Sequence, residues 1–141
     1  MHSREHDIVL RRTAHNCFRM LGLHRSWKLG KVKWDTLDVL DKENEAQSFI
    51  TQHTRTIDVT VDVHVTAKEL PWTLFHEFYH LITLPIEYLV RENVADETLK
   101  TLHRQLTENA IEELVEVTRW MLKERDRLQK QIAKLQQERG L

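Results

Sequence analysis

The run Trp72-Thr73-Leu74-Phe75-His76-Glu77-Phe78-Tyr79-His80-Leu81-Ile82 leaves the chain few choices. At helical spacing, Leu74, Phe75, Phe78, Leu81 and Ile82 make this segment apolar on nearly every side but one. Such a helix must be buried. On the remaining side stand His76, Glu77 and His80. Polar groups left unpaired in an apolar site cost several kcal/mol, so this side requires partners. Residues four apart on a helix share a face. The two imidazoles therefore lie side by side, as two corners of a zinc tetrahedron need. Glu77 points about 100° away from His76, close enough to take a proton from water at a metal without ligating it.

Chance is a real competitor, because nine histidines occur in 141 residues. With this His and Glu content, a random His-Glu-x-x-His arises on the order of a few per cent of the time. The surroundings must therefore carry the reading. The length suits one domain with a modest core. A net charge of −1 gives no bulk attraction to nucleic acid or to an anionic membrane. A single cysteine, Cys17, excludes an internal disulfide and suits a reducing compartment. Residues 1–10 hold no apolar run resembling a signal peptide, and no segment has the length of a membrane span. A cytoplasmic location is the expectation.

Along the chain, residues 7–23 read as a first helix, with Ile8, Ala14, Cys17, Phe18 and Leu21 inward and Gly22 at its end. Residues 31–39 read as a strand, 41–45 as a turn and 46–52 as a weaker strand. Thr54-Arg55 reads as a tight turn. Residues 56–66 alternate cleanly: Ile57, Val59, Val61, Val63 and Val65 against Asp58, Thr60, Asp62, His64 and Thr66. That is a half-buried strand. Its polar residues read as a solvated face, or as a wall of the active cleft. Pro71 suits the first position of the next helix, and Pro85 is expected to end it. Residues 86–96 would then be a loop, with Asp96 or Thr98 capping a long last helix. The expected architecture is α+β: an N-terminal helix, a three-stranded antiparallel sheet, a buried helix bearing the His-Glu-x-x-His residues, and a long C-terminal helix. Residues 1–122 form the domain, and 123–141 project as a charged helical tail. Leu114, Met121, Leu128 and Leu135 recur every seven residues. The tail is either a solvated helix end or a short coiled coil that pairs two chains.

A hydrolytic zinc site commonly has three protein ligands and one open position. The extended motif with a third histidine is excluded, because position 83 is Thr and position 86 is Ile. The last helix offers Glu108, Glu112, Glu113 and Glu116, with His103 weaker. Glu113 sits beside Ala110, Leu106, Val117 and Trp120, at the border of an apolar stripe, and ranks first. Glu112 ranks second; it shares its side with Glu108, Glu116 and Arg119, a solvated face. Tyr79, Tyr88, His103 and Arg119 are candidates for stabilising an oxyanion. The edge of the 56–66 strand could pair with an extended peptide.

His76, Glu77 and His80, followed by Glu113-Leu114-Val115-Glu116-Val117 leading into Trp120-Met121-Leu122, resemble the small zincins. The ImmA/IrrE-type peptidases and the minimal metallopeptidases of phages and other mobile elements are the closest in pattern. The resemblance spans about residues 31–122. It implies Zn2+ held by His76, His80 and Glu113, and Glu77 as general base. It also implies hydrolysis of peptide bonds in a protein or peptide substrate, often a single partner such as a repressor. Two other readings stand beside it. In one, the zincin fold survives as a non-catalytic binding or regulatory protein. In the other, the chain is a coiled-coil adaptor acting through its tail. The acids Glu124, Asp126 and Glu138 among the tail's cations, and the lack of aromatics there, argue against nucleic acid.

Overall fold

The computed structural model describes residues 3–37 and 45–140. The elements run α1 (Arg4–Met20), a 3₁₀ turn (Leu23–Arg25), β1 (Lys28–Asp35), β2 (Ala46–Thr51), β3 (Thr56–Asp62), α2 (Leu70–Asn93) and α3 (Glu97–Glu138). The α+β class is therefore present, with the long last helix. Helix α1 begins earlier than the apolar periodicity predicts: Ser3 and His6 close its first turn through a 2.9 Å contact between Oγ and Nδ1. Gly22, at φ 71°, takes the left-handed conformation that ends it.

The sheet is mixed rather than antiparallel. The strand order is β1-β3-β2; β2 and β3 form an antiparallel hairpin, whereas β1 pairs parallel to β3. Strand directions alternate along the chain, as in a meander. But β2 lies on the far side of β3, so β1 and β3 become neighbours pointing the same way. Strand β3 is therefore central, and both its edges are occupied. Among the described residues the outer edges of β1 and β2 are unpaired, and β3 offers no edge to a peptide. The hairpin turn rests on Arg55, whose φ is 53°. Strand β1 starts before the expected 31–39 span; residues 38 and 39 of that span, and most of the expected 41–45 turn, lie outside the described residues. Its register shifts between Leu29 and Val32. There the Asp58 carboxylate accepts a 2.8 Å hydrogen bond from the Lys31 N–H. Asp58 is thus a structural partner of β1.

Strand β3 turns Ile57, Val59 and Val61 fully inward. It ends at Asp62, not at residue 66, because the chain turns there: Val65 N–H bonds to the Asp62 carbonyl at 3.0 Å. The inward face packs on Leu10, Ala14 and Phe18 of α1 and on Leu74, Phe75 and Phe78 of α2. Phe18 and Phe78 meet edge to face with centroids 5.2 Å apart, a favoured aromatic geometry.

Helix α2 does not stop at Pro85. It runs through it to Asn93, although an internal proline costs about 3 kcal/mol. Only residues 94–96 link it to α3, whose N-terminus is capped by Asp96 accepting from Thr98 N–H at 2.8 Å. The two helices form a tight antiparallel hairpin, with residues 87–91 of α2 alongside 97–104 of α3. That continued packing is the physical reason the helix survives its proline. Helix α3 turns Thr107, Ile111 and Val115 inward, and every residue from 125 to 140 is exposed. No helix among the described residues is long and apolar enough to cross a membrane.

Candidate metal centre

The α2 segment ahead of Pro85 carries His76, Glu77 and His80 one turn apart. The apolar residues around them are fully buried, and the two imidazoles sit at the helix border facing α3. Their ring centroids are 5.3 Å apart. His76, Glu77 and His80 each offer a ligand atom within 4.8 Å of the others, an arrangement able to hold a metal ion.

A fourth residue, Glu108, lies against the two histidines. The Glu108 carboxylate straddles the imidazoles: Oε2 lies 3.1 Å from His76 Nε2, and Oε1 lies 3.1 Å from His80 Nε2. Bonds of about 2.0–2.2 Å to a tetrahedral zinc put neighbouring donors roughly 3.3–3.5 Å apart. The observed spacings are those of hydrogen-bonded ion pairs, and they need to open by only a few tenths of an ångström for the same atoms to serve as metal donors. Both histidines present Nε2, leaving Nδ1 for an outer partner. His80 Nδ1 faces Glu87 Oε1 at 4.0 Å, the kind of carboxylate that orients a metal-bound histidine.

Glu113 does not belong to this group. It is exposed, and it lies two residues past the inward Ile111, about 200° around the helix at 100° per residue. Glu112 points to the neighbouring cleft instead. The hairpin explains the difference. With α2 continuous through Pro85 and only three connecting residues, the height of α3 against α2 is set by residues 94–96. That register brings residue 108 opposite His76 and His80. The inward face of Thr107, Ile111 and Val115 then turns Glu108 toward them.

Glu77 is the buried member, 7% exposed. Its pKa is raised above the usual carboxylate range. Burial is the main cause, with a smaller upward push from Glu108. A hydrogen bond from Ser48 and the charges of His80 and His76 pull the other way. Ser48 escaped the sequence reading, although a serine between Ala46 and Ile50 on the inward face of β2 was a usable signal. A second bond ties β2 to α2 one turn earlier: Thr73 Oγ1 donates to Glu45 Oε2 at 2.9 Å.

Beside Glu77 opens a cleft of about 420 Å³, walled by Ala46, Trp72, His76, Glu112 and Arg119. Of the four residues considered for an oxyanion, only Arg119 lines it. Its guanidinium lies over the Trp72 ring at 4.7 Å and 3.6 Å from Glu69. Tyr79 is buried with its hydroxyl bonded to Thr118, Tyr88 belongs to a separate depression beside Trp27, and His103 sits 3.4 Å from Thr107 Oγ1. The free edge of β2 borders the same cleft through Ala46.

No protein-family profile, no curated protein and no solved structure matches the chain. The site's own geometry therefore has to bear the functional argument.

Proposed function

We propose that the chain is a zinc-dependent peptidase of zincin type, with His76, His80 and Glu108 as metal ligands and Glu77 as general base. One observation carries this reading: two imidazole Nε2 atoms and one carboxylate converge at ligand spacing beside a buried glutamate, at the wall of a cleft. When bound, the ion supplies Lewis acidity for a carbonyl oxygen and acidifies water to a pKa of about 7. The rest is the work of the chain. Burial makes Glu77 a stronger base than a solvated carboxylate, suited to taking a proton from water and returning it to a leaving amine. Ser48 holds its carboxylate in place. Glu87 sets a negative charge 4.0 Å from His80 Nδ1, beyond hydrogen-bond distance. Arg119 brings a positive charge to the cleft where a carbonyl would develop negative charge. The β2 edge offers backbone partners to an extended peptide, the role that the central position of β3 denies to that strand.

The experiment is metal analysis of the purified protein with proteolysis assays on denatured protein substrates. Wild type should carry one zinc per chain. His76→Ala should lose it, and Glu77→Gln should keep it while activity falls at least a hundredfold. A Glu77→Gln protein that binds zinc and cuts as well as wild type would remove Glu77 from the mechanism.

A further inference from the structure

A second feature of α3 stands apart from the metal centre. The helix is 42 residues long, about 63 Å at 1.5 Å per residue. Its inward face ends near Leu122. From Leu99 to Leu135 it carries a stripe of large apolar residues, roughly 120° around from Ile111, and none of the described residues covers it. Leu99, Leu106, Val117, Met121, Ile132 and Leu135 along it are each more than half exposed. Residues 125–140 have no buried member, yet helices of that length are marginal in water unless something packs on them.

We propose that this stripe binds a second copy of the chain, the two α3 helices lying antiparallel about a two-fold axis at Val117. The stripe advances in steps of three and four residues in a 3-4-4 pattern, and that pattern reads the same in both directions from Val117. In the antiparallel pair Leu99 meets Leu135, Leu102 meets Ile132, Leu106 meets Leu128, and Val117 meets its own copy. Only two pairings, Ala110 with Glu124 and Glu113 with Met121, include a charge, and Glu124 is already held by Arg127 at 2.9 Å. An eleven-residue repeat of this kind, at about 3.67 residues per turn, pairs helices with a right-handed supercoil.

Charge is compatible with a second copy laid antiparallel. One flank of the stripe bears Glu113 and Glu116 in its first half, and Lys123, Arg127, Lys130 and Lys134 in its second. In the antiparallel pair about Val117, Lys123 of each chain comes level with position 111 of the other, within reach of Glu112 and Glu113. Length agrees as well: the uncovered tail of one chain is placed against the exposed Leu99, Leu102 and Leu106 of the other. Ten or so half-exposed large side chains, at roughly 80 Å² apiece, would bury on the order of 800 Å² per copy, a standard interface.

The test is sedimentation velocity and light scattering on the full chain, with cysteine cross-linking. The expected species is a dimer of twice the 16.9 kDa chain mass. Leu128→Glu lies in the tail, away from the core. It should weaken the dimer at least a hundredfold by placing a charge opposite Leu106, with the thermal unfolding of the core unchanged and helical circular dichroism falling only by the freed tail. Leu106→Cys mixed with Leu128→Cys should form a covalent heterodimer on oxidation, while neither variant alone forms one. A monomer at about 100 μM, a higher oligomer, or cross-linking by Leu106→Cys alone would each overturn the proposal.

Discussion

Replacing Glu108 by Ala, beside the same change at Glu113 and Glu112, tests the hairpin register and the metal centre together. Glu108 is about half exposed. Its contacts with the two histidines in the metal-free protein therefore contribute no more than about 1 kcal/mol, and the Glu108→Ala protein should fold with near wild-type stability. Its effect on metal should be far larger. Zinc sites of about 10–16 kcal/mol shared among four ligands allot roughly 3–4 kcal/mol to each. Losing one ligand should then weaken zinc binding by about a hundredfold to a thousandfold. Glu113 points to the opposite side of α3, so Glu113→Ala should change affinity by less than about twofold. Glu112 lines the cleft without touching either imidazole, and Glu112→Ala should stay within a few-fold. Competition with a chromophoric chelator at fixed pH measures all three. Zinc affinity that falls with Glu113→Ala and holds with Glu108→Ala would show that α3 sits at another height against α2, and the argument from the hairpin would fail.

Glu77 also has a signature in the metal-free protein. Its folded pKa is raised from 4.5, so the fold favours the protonated form. Its contribution to stability is greatest at low pH and is lost as pH rises through the raised value. Urea midpoints measured in chelator from pH 4.5 upward should fall in wild type relative to Glu77→Gln, which has no proton to lose; parallel curves would refute the burial effect. Cys17 behaves alike at higher pH. Burial pushes its thiol from 9.0 up to about 12, so roughly 4 kcal/mol of stability should disappear between those values. Its native thiol should resist alkylation at pH 8 and react only on unfolding. Gly30→Ala should destabilise by about 1–3 kcal/mol, read by thermal denaturation. A Cβ there would stand 2.0 Å from Asp58 Oδ1, and moving that carboxylate breaks its bond to Lys31.

Several of these features were legible without coordinates because one physical cause dominated each. The period-two alternation of Ile57, Val59 and Val61 specified a half-buried strand, and all three are buried. The apolar wrap of Leu74, Phe75 and Phe78 specified a buried helix, and burial left His76, Glu77 and His80 only one side to use. Asp96 before Glu97 marked a helix start and caps one. The order β1-β3-β2 was not legible. Adjacent pairing and a one-strand crossover differ by the path of a single connection, and no periodicity distinguishes them.

The glutamate that meets the two histidines was hidden for a different reason. Judged by its neighbours on α3 alone, Glu108 belongs to a charged face and Glu113 borders an apolar one. That apolar border is real, but it is the uncovered stripe of Leu106, Val117 and Trp120, not the face turned to α2. An amphipathic helix with two apolar faces cannot reveal which one meets the domain. The choice passes to whatever fixes the register, here the survival of α2 through Pro85 and the three residues that follow it. One helix thus serves two surfaces. The face of Ile111 and Val115 carries Glu108 to the histidines, and the stripe of Leu106, Val117 and Trp120 stays exposed.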